Sequence, residues 1–253
     1  MLITCSIVTY NSENEISKIL HDLENCLSIG LDSVYVVDNN STDNTCNLIK
    51  NKFGWVNLIE SKKNLGYGGG HNLAIRQVDS DFHIIINPDI SIDVENFVKI
   101  KEFCMSEKFA IACPKVMNSD GTEQFLPKKD PKFKYILGGT FKFLKKYREE
   151  YTLFNIKPTN ITEVEFCTGC FTICNTKILK QIGGYDERYF MYMEDADLTR
   201  TMRNEGKALY NPNIIVTHLW KRENRKNIKG IVRWFKSYFK YKKKWRKNNA
   251  SKL

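Results

Sequence analysis

Four short stretches of this chain hold residues able to do chemistry. In IIINPDI (84–90) three isoleucines run into Asn87, Pro88 and Asp89. Read locally this is a turn, because proline fixes φ and aspartate caps, but a carboxylate ending a buried strand can also hold a cation. MEDADL (193–198) places Glu194, Asp195 and Asp197 at a helix start. Acids there answer the exposed N–H groups and the helix dipole, and a carboxylate at a pocket edge can equally take a proton from a hydroxyl. His218, near the end of an apolar strand, is either a satisfied core histidine or, facing the same pocket, a metal ligand. NLGYGGGHN (64–72) is glycine-rich, which lets backbone N–H groups approach a phosphate or sugar. It is neither a dinucleotide fingerprint nor a P-loop.

These residues need elements to gather them. Strand-like runs at 2–10, 33–38, 56–61, 82–87 and 109–116 alternate with helix-like runs at 13–27, 41–53, 72–77 and 94–106. The second helix is expected to start on a Ser41/Thr42 cap. Alternation of this kind predicts an α/β fold, a mostly parallel central sheet flanked by helices, with right-handed crossovers. Open sheets bind ligands beyond the carboxyl ends of their strands. The first four strands end in Thr9-Tyr10-Asn11, Asp38-Asn39-Asn40, Asn64-Leu65-Gly66 and Asn87-Pro88-Asp89. One polar strand end is a turn; four on one edge make a site. Residues 118–162, rich in Lys, Phe and Tyr, are longer than an ordinary connection and read as a loop or small subdomain over that site. A strand, a short helix ending at Gly183-Gly184, the acidic helix stopped by Gly206 and one or two last strands follow.

Composition narrows the class. Of 253 residues 42% are hydrophobic and 27% charged, and no run reaches the ~18 apolar residues of a membrane span, so a cytosolic globular chain is expected. Eight scattered cysteines, Cys167, Cys170 and Cys174 among them, read as reduced core thiols rather than a disulfide framework or zinc site. The net charge of +10 is uneven: residues 221–252 hold fourteen Lys and Arg against one Glu, leaving the rest mildly acidic. Ile231, Trp234, Tyr238, Tyr241 and Trp245 recur at steps of three and four, one face of a helix backed by cations. Such a stripe packs on its own domain or a partner, or lies on an anionic membrane; the aromatic bias and charge favour the membrane.

CSIVTYN, VVDNNSTDNT, NLGYGGGHN, INPDI and FMYMEDADLTRTMRNEG, in this order from about residue 3 to 218, resemble the family-2 glycosyltransferases of GT-A fold. The resemblance implies a GT-A-type nucleotide-diphospho-sugar transferase over 1–220, with a nucleotide-binding half (1–117) and an acceptor half (118–220). A basic amphipathic helix occupies 221–253. It implies that Thr9, Tyr10, Asn11 and Asn40 line the nucleotide pocket and that Asp38 accepts the pyrimidine N3–H. Gly66, Gly69 and Asn72 would lie against ribose and donor sugar. Asp89 matches the last acid of the family's D-x-D; Asn87 stands where the first would be. Asp89, with His218, would hold Mg²⁺ or Mn²⁺, and one carboxylate is enough beside phosphate oxygens and waters. Asp195 would be the base of an inverting transfer; spacing alone does not separate it from Glu194.

The nearest kin by resemblance are bacterial cell-surface polysaccharide enzymes, including rhamnosyltransferases. That points to a dTDP- or UDP-sugar donor, a saccharide or lipid-linked acceptor, and a place on the inner face of the cytoplasmic membrane; self-association is left open. A nucleotidyltransferase would show glycine and basic residues after its first strand, and VTYNSENE has neither. A nucleic-acid binder fits poorly with an acidic body and an aromatic stripe.

Overall fold

The computed structural model describes residues 1–135, 144–219 and 228–250. All seven residues of β1 (Ile3–Thr9) are buried, as both-face burial at the centre of a parallel sheet requires. β2 (Ser33–Asp38), β3 (Asn57–Glu60) and β4 (Phe82–Ile86) join it in the order β3-β2-β1-β4, all parallel. The crossovers are α1 (Ile16–Leu27), α2 (Thr45–Lys52) and α3 (Gly66–Ile75). The isoleucine run shows the strand period: Ile84 and Ile86 pack with α1, α2 and α4 (Val94–Ser106), while Ile85 packs on the other face with α3. Register places Thr9 opposite Asp38, so the carboxyl ends of β1 and β2 lie side by side.

This half is wholly parallel, and the other half is mixed. β8 (Phe171–Asn175) inserts between β4 and β6 (Ile111–Asn118), antiparallel to both. β9 (Ala208–His218) runs parallel to β6, and two short strands, β5 (Ile90–Ser91) and β7 (Thr162–Glu163), pair antiparallel with β9. A late strand returning to the middle of the sheet is a long-range event that local periodicity does not encode. The remaining helices are α5 (Lys145–Thr152), α6 (Thr176–Gln181), α7 (Glu194–Met202) and α8 (Ile228–Ala250).

Two local expectations are corrected. Helix α2 begins after Ser41 and Thr42, with Asp43 Oδ1 accepting the Thr45 N–H at 3.1 Å. Ser41 Oγ instead accepts the Asn11 N–H at 2.9 Å and Asn11 Oδ1 accepts the Thr42 N–H at 2.8 Å, tying the ends of β1 and β2 together. Asn11 (φ 53°) and Asn40 (φ 67°) sit in the left-handed region that asparagine tolerates, which turns the chain for this tie.

The second correction concerns α8. Its Tyr238, Tyr241 and Trp245, expected to face lipid, are 3%, 1% and 7% exposed and pack on Phe166, Tyr189, Met193 and Ala196. The physical cause is Asp197 of α7, whose carboxylate is buried and must be paired. Lys244 Nζ donates to its Oδ2 at 2.6 Å and Trp245 Nε1 to its Oδ1 at 2.8 Å. Among the side chains of α8 that are described, Ile231, Val232, Phe235 and Phe239 are exposed apolar residues. Residues 136–143 of the loop segment and 220–227 and 251–253 of the tail lie outside the described residues.

Candidate active site

The ends of β1, β2 and β4 meet at one edge. Thr9 is fully buried and its Oγ1 has no partner. Asp38 is 5% exposed; Oδ2 accepts the Ser41 N–H at 3.1 Å while Oδ1 is unpartnered. Tyr10, 49% exposed, stands at the rim beside Asn11 and Asn40. Asn39, which sequence reasoning passed over, organises the glycine-rich turn. Its Nδ2 donates to Asn64 Oδ1 (3.1 Å) and Gly66 O (3.0 Å), and its Oδ1 accepts the Leu65 N–H (2.9 Å).

Gly66 has φ +77°, and a Cβ there would lie 2.0 Å from the Phe190 carbonyl oxygen, so this contact between α3 and the loop before α7 requires glycine. Gly69 is buried in α3 beside Leu65. Asn72 is committed to the chain itself: Nδ2 donates to Tyr185 O (2.9 Å) and Glu187 Oε1 (3.0 Å), and Oδ1 accepts the Tyr185 N–H (2.8 Å).

Pairing of Ile90 with His218 brings Asp89 and His218 together, with Nε2 3.2 Å from Asp89 Oδ2. His218 Nδ1 lies 2.9 Å from Gln124 Oε1, an outer contact that orients the ring. Asp89 Oδ1 and the neighbouring Asn87 Oδ1 are both buried without a partner. Among the described residues no group of three or more His, Cys, Asp or Glu gathers, so Asp89 and His218 form at most a two-residue contribution of those types. Two orphaned oxygens with one imidazole fit a hard cation that takes its other ligands from phosphate and water. The eight cysteines are free thiols, seven of them buried.

At the start of α7, Tyr192 (φ 71°) and Met193 (φ 67°) turn the chain so that Glu194 and Asp195 enter the site together. Asp195 Oδ2 accepts the Gly169 N–H at 3.1 Å and Oδ1 the Ala196 N–H at 2.8 Å. Burial raises its pKa, and these N–H groups oppose the rise by favouring the charged form. Glu194 Oε2 has no partner, and burial, followed by the neighbouring Asp195 charge, pushes its carboxyl up to about 8. The two acids therefore differ in support: burial favours the neutral form of both, but two backbone N–H groups favour the charged form of Asp195 while Glu194 Oε2 has no partner. A cleft of about 300 Å³ opens over them, walled by Tyr135, Tyr151, Phe166, Tyr192 and Trp234. Tyr135 and Tyr151 are stacked 4.7 Å apart. None of these aromatics was singled out for the site from sequence; the aromatic richness of 118–162 and of the tail was the available signal.

Beneath the glycine-rich helix runs a second unforeseen feature. His71 Nδ1 lies 2.8 Å from Ser6 Oγ, His83 Nε2 2.8 Å from the same hydroxyl, and His83 Nδ1 2.8 Å from Thr4 Oγ1. Burial lowers both imidazole pKa values, that of His83 to about 3, so both rings are neutral.

Residues 4–183 match the profile of Glycosyl transferase family 2. The chain is 24% identical over 213 residues to the low-salt glycan biosynthesis hexosyltransferase Agl10 of Haloferax volcanii, covering 79% of this chain and 61% of that protein. It is 28% identical over 209 residues to the N-acetylglucosaminyl-diphospho-decaprenol L-rhamnosyltransferase of Mycobacterium tuberculosis, covering 74% and 66%. It thus spans somewhat under two thirds of the length of either relative. The fold is similar to the crystal structure of GalNAc-T7 with UDP, GalNAc and Mn²⁺ (TM-score 0.66, 14% identity, 88% of this chain and 44% of that one).

Proposed function

This chain belongs to glycosyl transferase family 2, and from that premise we propose that it is a metal-dependent inverting glycosyltransferase of cell-surface polysaccharide synthesis. The donor would be a dTDP- or UDP-sugar, rhamnose or a hexose, and the acceptor a saccharide or lipid-linked saccharide. One observation carries the reading. Ten buried side-chain polar atoms among the described residues lack a partner, and five of them, on Thr9, Asp38, Asn87, Asp89 and Glu194, belong to this one site. Buried polar groups are otherwise almost always satisfied, so such a concentration marks a place built for a polar ligand.

In this reading Asp38 Oδ1 accepts the pyrimidine N3–H, Thr9 Oγ1 and Tyr10 line the base and ribose, and the turn at Gly66 admits the sugar. Asp89 and Asn87, with His218, would hold Mg²⁺ or Mn²⁺, which when bound neutralises charge on the leaving nucleoside diphosphate. Asp195 takes the proton of the acceptor hydroxyl. That oxygen bonds to the anomeric carbon from the face opposite the diphosphate, the old carbon–oxygen bond breaks, and its electron pair leaves on the diphosphate. The configuration inverts. Glu194, neutral at pH 7, can donate a hydrogen bond without competing for the proton.

A place at the inner face of the cytoplasmic membrane is supported by the outward side of α8, where Val232, Phe235 and Phe239 lie among exposed Lys236, Lys240 and Lys243. Each cation near an anionic surface contributes about 1 kcal/mol. Among the described residues no helix is long and apolar enough to cross a membrane.

The test is calorimetric titration of UDP, dTDP, GDP and CMP, with and without Mg²⁺ or Mn²⁺, into wild type and Asp89→Ala. Metal-dependent binding of UDP or dTDP that the substitution abolishes is expected. No nucleotide binding under any metal condition would overturn the donor-site reading.

A further inference from the structure

Residues 167–170, just ahead of β8, are pinned from three sides. The Cys167 N–H donates to Thr199 Oγ1 of α7 at 3.3 Å. The Gly169 N–H donates to Asp195 Oδ2 at 3.1 Å, and Gly169 O accepts the hydroxyl of Tyr67 from α3. Cys170 O accepts the Asn87 N–H at 2.9 Å. Two consecutive residues, Gly169 and Cys170, thus join the glycine-rich helix, the end of β4 and the acid assigned as the base. Tyr67 has no role in the donor-site reading above.

A Cβ at Gly169 would lie 3.0 Å from Asp195 Cβ and 3.5 Å from its Oδ2, so the backbone comes this close to the carboxylate most easily without a side chain. Glycine is also the residue with the greatest backbone freedom, so the direction of its N–H has to be fixed from outside. Tyr67 is placed to do that. Its own N–H donates to Phe190 O at 3.0 Å, holding the first turn of α3 against the loop before α7. Its ring lies edge-on to His71, centroids 4.6 Å apart, and to Tyr185, 5.9 Å apart, an arrangement aromatic pairs favour and one that fixes the ring plane. Burial raises the phenol pKa well above its ordinary value, with the neighbouring acids Cys170, Glu194 and Asp195 adding to the rise, so at neutral pH the hydroxyl is a donor.

We propose that Tyr67 is a positioning residue for the base: its hydroxyl holds Gly169 so that the Gly169 N–H stays on Asp195 Oδ2 and keeps that carboxylate charged and aimed. The proposal rests on the transferase reading put forward above, in which Asp195 takes the acceptor proton. The other support of Asp195, the Ala196 N–H on Oδ1, comes from its own helix and is independent of Tyr67. Losing the Tyr67 hydroxyl therefore loosens one of two N–H supports and leaves the second. Because Tyr67 belongs to the glycine-rich stretch, one residue links the turn assigned to the donor sugar with the group assigned to the acceptor. Tyr185 supplies the contrast, since its ring belongs to the same cluster but its buried hydroxyl has no partner.

The test is NMR of ¹³C-labelled aspartate carboxyls in the full chain, in a Glu194→Gln background so that one acid of the pair titrates. Asp195→Asn identifies the Asp195 resonance. Tyr67→Phe and Tyr185→Phe are each compared with the background protein, and circular dichroism checks that both are folded. Tyr67→Phe should raise the Asp195 midpoint by about one pH unit, the scale of one N–H bond to a carboxylate, and Tyr185→Phe should leave it in place. In the background protein the Gly169 amide proton should follow the Asp195 titration, a readout that needs neither tyrosine variant. A midpoint that Tyr67→Phe leaves in place, or moves no further than Tyr185→Phe does, overturns the proposal. So does a Gly169 amide that ignores the Asp195 titration. Nucleotide titration of wild type keeps the questions apart. Absence of binding there counts against the transferase reading, whereas an unmoved midpoint counts against Tyr67 alone.

Discussion

Replacing Glu194 by glutamine should stabilise the protein, increasingly so as pH rises. Glu194 is 7% exposed, and burial with Asp195 beside it holds its carboxyl at about 8 in the folded chain against an ordinary 4.5. Below pH 4.5 it is protonated in both states and costs nothing. Between 4.5 and 8 the unfolded chain releases the proton while the folded chain retains it, so the folded state loses ground by about 1.4 kcal/mol per pH unit. The accumulated penalty is under about 1 kcal/mol at pH 5, about 3 kcal/mol at pH 7 and about 5 kcal/mol above pH 8. Glutamine is isosteric and cannot ionise, so Glu194→Gln removes this pH dependence. Urea unfolding of both proteins at pH 5, 7 and 8.5 reads the difference, and at pH 7 it corresponds to roughly 6–12 °C in melting temperature. A stability difference that stays flat across this range, or that favours wild type at high pH, would refute the neutral Glu194 on which the division of labour with Asp195 rests. A stabilising substitution that lowers activity is the mark of a strained functional group.

Lys244→Met should cost about 3 kcal/mol, because it leaves the Asp197 carboxylate, 3% exposed, with its Lys244 partner gone. Chemical denaturation measures it, and adding Asp197→Asn should recover most of the loss, since the stranded charge is then removed. The buried imidazoles of His71 and His83 bind protons only when the chain unfolds. The contribution of these two rings to stability should therefore be complete above pH 6.5 and fall toward pH 3, by about 1.4 kcal/mol per pH unit for each ring. His83→Gln should make that acid slope shallower by about one proton, which pH-dependent unfolding curves report.

The local pattern of the chain settled a good deal. Runs of apolar residues placed β1 to β4 to within a residue or two: burial in β1, β2 and β4 leaves a nearly unbroken hydrophobic run, whereas β3, at the sheet edge, has no buried residue. The motifs named Asp38, Asp89 and the Glu194-Asp195 pair, since acids at strand ends and helix starts are visible in order along the chain. The cap expected at Ser41 failed because the hydroxyl had a better long-range use, on the Asn11 N–H of another strand end. Tertiary structure alone decided the rest. Pairing of Ile90 with His218 brings Asp89 and His218 together across more than a hundred residues, and no periodicity carries that register. The α8 stripe was legible as a helix face, but which surface it meets depended on Asp197, a buried charge that only Lys244 and Trp245 of that helix could reach. Charge and amphipathic period report that a face wants a partner; the identity of the partner is a matter of what else the fold leaves unpaired.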